Sequence, residues 1–286
     1  MNEIVLYSLM ALGGIALLFA TIIFFVEKKF KVIEDPRIDQ IQEILPGANC
    51  GGCGYAGCRN FAEAIVKAGN MDTLFCPVGG NEVLKKAASV LGIEVVEKAP
   101  QLAVVRCNGS FANAPQKARY EGAISCFFAH NLFSGESGCP FGCLGCGDCV
   151  AACTFDAIYM NPESGLPTVI DDKCTSCGAC VKACPRGIIE LRNKGPKGKR
   201  IFVSCINKEK GAVARKNCSV ACIGCGKCVK TCPHEAITLV DNLAYIDYEK
   251  CKLCRKCVAE CPTGAILEIN FPPRKTEVTK SNEVEA

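Results

Sequence analysis

Residues 222–233 read CIGCGKCVKTCP, and this stretch decides the fold. Its cysteines follow C-x2-C-x2-C-x3-C. Three closely spaced thiolates can hold three corners of one [4Fe-4S] cube, while a short helix carries the fourth cysteine to a neighbouring cluster. The same run occurs at Cys143, Cys146, Cys149, Cys153, at Cys174, Cys177, Cys180, Cys184, at Cys222, Cys225, Cys228, Cys232 and at Cys251, Cys254, Cys257, Cys261. Runs that lend their last cysteine to a neighbour work in pairs, so four runs imply two double-cluster modules. The pairing predicts four ligand sets: Cys143, Cys146, Cys149 with Cys184; Cys153 with Cys174, Cys177, Cys180; Cys222, Cys225, Cys228 with Cys261; and Cys232 with Cys251, Cys254, Cys257. Pro185, Pro233 and Pro262 follow fourth cysteines as the motif expects, whereas Thr154 stands after Cys153.

Other uses of cysteine fit poorly. Zinc sites close a C-x2-C pair with a second pair or with histidines, and the chain has only His130 and His234. A disulfide framework belongs to an oxidising compartment and usually to a short secreted chain. Haem c attachment needs C-x-x-C-H, which does not occur.

Upstream, Cys50, Cys53 and Cys58 lie in a glycine-rich loop with spacing C-x2-C-x4-C, and Cys76-Pro77 returns a fourth ligand. This predicts a fifth [4Fe-4S] cluster in a small helical unit, with zinc as the lesser alternative at this site alone. Ile38, Ile41, Ile44 and Leu45 mark one face of its first helix, which Pro46-Gly47 ends. A second helix is expected over Asn60–Ala68.

Five cysteines remain: Cys107, Cys126, Cys139, Cys205 and Cys218. Cys126-x12-Cys139-x3-Cys143 is matched by Cys205-x12-Cys218-x3-Cys222, at an offset of 79 residues (205 − 126) that persists through the following run. Free cysteines pack well as small buried hydrophobes. The repeated spacing also suits a sixth cluster, with some of the five as ligands or exchanging with Cys143 or Cys222.

Ile4–Val26 carries no charge, which is long enough to span a bilayer. A signal peptide would start basic and be shorter; here Glu3 precedes the run and Lys28, Lys29 and Lys31 follow it. A retained single-pass anchor is expected, with the bulk of the chain on the reducing cytoplasmic side of the cell membrane. The formal charge of +4 counts every cysteine as neutral. Five clusters bound through thiolates add roughly −10, leaving about −6, which with the anchor argues against nucleic-acid binding.

No G-x-G-x-x-G follows a strand, no P-loop occurs, and two histidines support no hydrolytic constellation. The residues therefore imply a carrier of single electrons with no catalytic site of its own. The basic run Arg192–Arg200, RNKGPKGKR, reads as a solvated hairpin loop or as a docking patch for an acidic soluble ferredoxin at Lys194, Lys197 and Lys199. Strand hairpins are expected at Ala157–Met160 with Pro167–Ile170 and at Ile237–Leu239 with Ala244–Ile246.

The order of anchor, C-x2-C-x4-C…C-P unit and ferredoxin modules resembles the B subunit of the Rnf ion-translocating electron-transport complex, in its longer form with two modules. ILPGANCGGCGYAGC (Ile44–Cys58), GCLGCGDCVAAC (Gly142–Cys153) and CIGCGKCVKTCP (Cys222–Pro233) carry the resemblance. The chain departs from the family at Cys146, a position that is often not cysteine there. The resemblance implies electrons from reduced ferredoxin passing to partner subunits in a membrane complex. That complex couples ferredoxin oxidation and NAD+ reduction to Na+ or H+ movement, with nicotinamide, flavin and ion sites elsewhere. It implies electrons leaving through Cys50, Cys53, Cys58 and Cys76 and coming in at the distal modules. The rival readings are an iron–sulfur component of a hydrogenase or formate-oxidising complex, and a scaffold with structural or redox-sensing clusters.

The expected organisation is α+β throughout: an anchor over 1–26, a 4Fe-4S domain over 27–92, a linker over 93–105, ferredoxin-like modules over 106–192 and 193–271, and a disordered tail over 272–286.

Overall fold

The computed structural model describes residues 2–29, 35–132 and 135–273; most of the tail expectation lies outside them. In chain order the helices and strands are α1 (Asn2–Lys29), α2 (Pro36–Ile44), α3 (Cys58–Ala68), α4 (Gly80–Leu91), β1 (Gln101–Val105), α5 (Cys126–Leu132), α6 (Asp148–Ala151), β2 (Ile158–Met160), β3 (Pro167–Val169) and α7 (Ala179–Ala183). They continue as β4 (Ile189–Asn193), β5 (Arg200–Val203), α8 (Gly211–Asn217), α9 (Lys227–Thr231), β6 (Ile237–Val240), β7 (Leu243–Ile246), α10 (Lys256–Ala259) and β8 (Ile266–Ile269). The protein is α+β.

Helix α1 contains a 24-residue span, Leu6–Lys29, with mean hydropathy 2.6 and none of it buried. At 1.5 Å per residue this reaches about 36 Å, enough for a hydrocarbon core of about 30 Å. The helix runs past the expected boundary at Val26. Lys28 and Lys29 occupy its last turn, where the helix dipole favours cations.

The following unit is helical. Asp35 caps α2 by accepting the Arg37 amide at 2.9 Å. Pro46 holds Leu45 extended (φ −71°, ψ 148°) and stops the helix there. Ile41, Leu45, Phe61, Ile65 and Leu84 form the core, so α2 and α3 pack as their apolar periodicity implies. Ile44, expected on the same face, is only half-buried.

Each ferredoxin-like module is closed by its first and last strands. In module 1, β1 pairs antiparallel with β4 from Gln101↔Asn193 to Val105↔Ile189, and β2 pairs with β3. In module 2, β5 pairs with β8 and β6 with β7. Asp241 and Asn242, both at positive φ, make the two-residue turn between β6 and β7.

The structure corrects the linker. Residues 101–105 of that stretch are strand β1, and Asn193 closes β4 in module 1 rather than opening module 2. Leu102, Ala103 and Val104 are buried in succession because β1 is covered on both faces. Ala103 faces the module 1 core, while Leu102 and Val104 pack with Phe202, Leu267 and Ile269 of module 2. The two sheets thus meet face to face.

Buried arginines reinforce the seam. Arg192, 1% exposed, pairs with Glu190, donates to the Ile201 carbonyl and stacks over Tyr245 at 5.1 Å. Arg200 of module 2 grips Asp171 of module 1 through two bonds of 2.6 and 2.7 Å. The basic run is therefore no hairpin loop. It crosses from β4 to β5, and its two arginines are internal, leaving Lys194, Lys197 and Lys199 on the crossover.

Candidate iron–sulfur centres

Each cysteine run adopts one backbone pattern. The residues before and after its second cysteine are left-handed: Gly145 and Gly147, Ser176 and Gly178, Gly224 and Gly226, Leu253 and Arg255. This double reversal wraps the chain around a centre, and the residue after the second cysteine begins the short helix that carries the fourth cysteine away. Glycine takes that position in three runs because no Cβ resists it. In the fourth, Arg255 is held there by two bonds to Glu268 at 2.6 and 2.7 Å and by Phe271 beneath its guanidinium.

The runs bring together two of the expected sets, and three of the four members of another, around small cavities of equal size. Cys153, Cys174, Cys177 and Cys180 line one of about 20 Å³. Cys222, Cys225, Cys228 and Cys261 line another of about 20 Å³. The third, also about 20 Å³, is lined by Cys143, Cys149 and Cys184, with Cys126 in place of the expected Cys146. Cys146 lies beside Cys126 and hydrogen-bonds with it, so five thiols surround one centre. Cys126 is set there by α5, whose start is tied to Asp148 through Ser125 Oγ at 2.9 Å and the Phe127 amide at 3.2 Å. For the remaining runs, Cys251, Cys254 and Cys232 all act electrostatically on Cys257. In the N-terminal unit Cys53 and Cys58 act in the same way on Cys76, while Cys50 opens the same loop.

All of these thiols are free, and the donors around them suit iron-bound sulfur. Gly79 donates its amide to Cys76 Sγ at 3.4 Å and Ala157 to Cys153 Sγ at 3.4 Å. Such bonds stabilise thiolate bound to iron and tune its potential. Burial pushes the Cys149 and Cys228 thiols up to about 11 and Cys180 and Cys257 up to about 12, with neighbouring sulfurs adding to the rise. These thiols hold their protons at neutral pH until iron displaces them. Among the described residues no three His, Cys, Asp or Glu side chains close around a single ion.

Neighbouring sets adjoin one another. The loop of the N-terminal unit touches module 1, where a Cβ added to Gly52 would lie 3.0 Å from the Cys177 Cβ and carbonyl oxygen. Cys149 of the next set lies close enough to raise Cys180. In module 2, Cys228 stands in the same relation to Cys257. Cys225 and Cys254 are the two exposed cysteines, both in module 2. His130 and His234 are exposed and take no part.

The five spare cysteines do not group as their spacing suggests. Strand β1 ends two residues before Cys107 and β5 ends two residues before Cys205, so Cys107 is the structural counterpart of Cys205. The offset there is 98 residues (205 − 107), against 79 further on. A 19-residue difference between β1 and Cys139 conceals the match, and Cys126 has no counterpart. Cys107, Cys139, Cys205 and Cys218 line a separate cavity of about 20 Å³ between the modules.

The family described as 4Fe-4S dicluster domain matches residues 142–188 and 221–265, and a second so described matches 173–236. One described as putative Fe-S cluster matches 45–78. The chain is 43% identical over 241 residues to the B subunit of the Na+-translocating ferredoxin:NAD+ oxidoreductase complex of Acetobacterium woodii, covering 84% of this chain and 71% of that one. It is 42% identical over 251 residues to the B subunit of the ion-translocating oxidoreductase complex of Methanosarcina acetivorans, covering 88% and 93%. The B subunit of a proton-translocating ferredoxin:NAD+ oxidoreductase complex from Clostridium ljungdahlii is 40% identical, with 88% and 87% covered.

Proposed function

The chain belongs to the B-subunit family of ion-translocating (Rnf) oxidoreductase complexes, and from that premise we propose that it carries single electrons from reduced ferredoxin to the membrane subunits of such a complex. One observation carries the reading: thiol sets succeed one another from the exposed Cys254 and Cys225 of module 2 to the Cys50–Cys76 unit that follows the membrane helix.

The ligand sets are Cys50, Cys53, Cys58 and Cys76; Cys153, Cys174, Cys177 and Cys180; Cys222, Cys225, Cys228 and Cys261; Cys232, Cys251, Cys254 and Cys257; and Cys143, Cys149 and Cys184 completed by Cys146 or Cys126. Bound clusters supply one-electron redox chemistry. The protein's part is to fix their spacing, donate amides to their sulfurs and keep water from them. Helix α1 is a single-pass anchor with the modules on the cytoplasmic side, argued from Lys28, Lys29 and Lys31. Lys194, Lys197 and Lys199 remain the candidate docking charges for an acidic ferredoxin, an attraction that weakens with salt.

The order of reduction tests this reading. Rapid mixing of the purified chain with reduced ferredoxin, freezing and electron paramagnetic resonance should find module 2 signals before that of the Cys50–Cys76 unit. Reduction of the N-terminal unit first contradicts it. Reduction by a hydrogenase or a formate dehydrogenase, and not by ferredoxin, would favour the rival oxidoreductases.

A further inference from the structure

We propose that Cys107, Cys139, Cys205 and Cys218 hold a sixth [4Fe-4S] cluster, built in the seam with two ligands from each module. The proposal rests on the reading of the chain as an iron–sulfur carrier.

Each module contributes the same pair of positions. Cys107 and Cys205 follow the closing strands β1 and β5 by two residues, and Cys139 and Cys218 each precede the first cysteine of a run by four. Face-to-face packing of the sheets brings the pairs together. An added Cβ at Gly109 would stand 3.6 Å from Cys107 Sγ and 3.7 Å from Cys218 Sγ, so the two sulfurs share one small space.

The seam cavity matches the ferredoxin cradles in size, about 20 Å³ each. The sulfurs also have donors. Cys107 Sγ accepts the Cys143 amide at 3.4 Å, and Cys205 Sγ accepts the Asn207 amide at 3.4 Å. Asn207, 1% exposed, also turns its side-chain amide to Cys139 Sγ at 3.5 Å. Cys205 further accepts from the Cys222 amide and Cys218 from the Val220 amide. Arg186 lies close enough to Cys107 and Cys139 to balance negative charge there. Donors to every sulfur suit metal-bound thiolate rather than inert packing.

The place explains the use. The amides reaching Cys107 and Cys205 belong to Cys143 and Cys222, which are themselves ligands of the adjoining sets. The seam site therefore stands between the two modules' centres and links two pairs into one row. Each thiol loses its proton as it binds an iron.

The test is a metal and sulfide count on the full-length chain, purified without oxygen from its own membranes, beside a Cys107→Ser, Cys218→Ser double variant. The wild type should carry about 24 irons and the variant about 20, with Mössbauer spectra showing only cubanes in both. A wild type with about 20 irons, with about 22, or with zinc in the place of the missing iron overturns the seam cluster and leaves the carrier reading standing. An iron-free chain overturns both. If the variant loses about eight irons or more, module folding has failed. Iron in wild type then decides alone, about 24 supporting the site and about 20 removing it.

Discussion

Replacing Cys53 with alanine should stop ferredoxin-dependent NAD+ reduction by the assembled complex while module 2 still accepts electrons. Cys53 sits in the only thiol set between module 1 and the membrane helix among the described residues, and its loop touches Cys177 through Gly52. Loss of one supporting partner around a metal costs about 10–100-fold, and loss of a ligand should cost more, so a fall of roughly 100-fold or more is expected. Steady-state activity with freeze-quenched spectra of the same sample checks it. Abolished reduction of module 2 with activity intact would reverse the direction of travel.

Phe202→Ala should loosen the two modules from each other. Phe202 is 2% exposed and packs between Leu102, Val104, Leu267 and Ile269, where both sheets meet. Arg192 also lies over its ring at 5.8 Å. Truncating a buried phenylalanine costs about 3–5 kcal/mol, through lost transfer energy and the cavity left behind. Denaturant unfolding without oxygen should show this loss, together with faster proteolysis at the 194–199 crossover. Phe202→Leu, which refills most of the space, should recover the larger part. A loss under about 1 kcal/mol for the alanine variant would mean that the seam is held by its arginine pairs instead.

Much of this was legible in the sequence, because iron–sulfur ligation writes itself in short-range spacing. The runs, the short helices that carry their third cysteines and both hairpins follow from local geometry, as does the helical unit around Ile41 and Phe61. What escaped depends on distant partners. Gln101–Val105 looked like a linker since its buried residues do not alternate, and its partner strand lies at Ile189–Asn193. Arg192 and Arg200 looked like exposed charges because nothing nearby reveals the tyrosine and the aspartate that receive them. The register of the spare cysteines misled for a related reason. The x12 spacing of Cys126 and Cys139 imitates that of Cys205 and Cys218, whereas the strand ends pair Cys107 with Cys205. A search for the residue two positions beyond each closing strand could have found it.

The most direct measurement is to isolate the complex without oxygen through a tag on this chain, and to assay NAD+ reduction by reduced ferredoxin. NAD+ reduction with flavin-bearing membrane subunits present is the result expected of an Rnf electron carrier of this family. A cluster-loaded, intact preparation that reduces no NAD+ from ferredoxin would contradict the account.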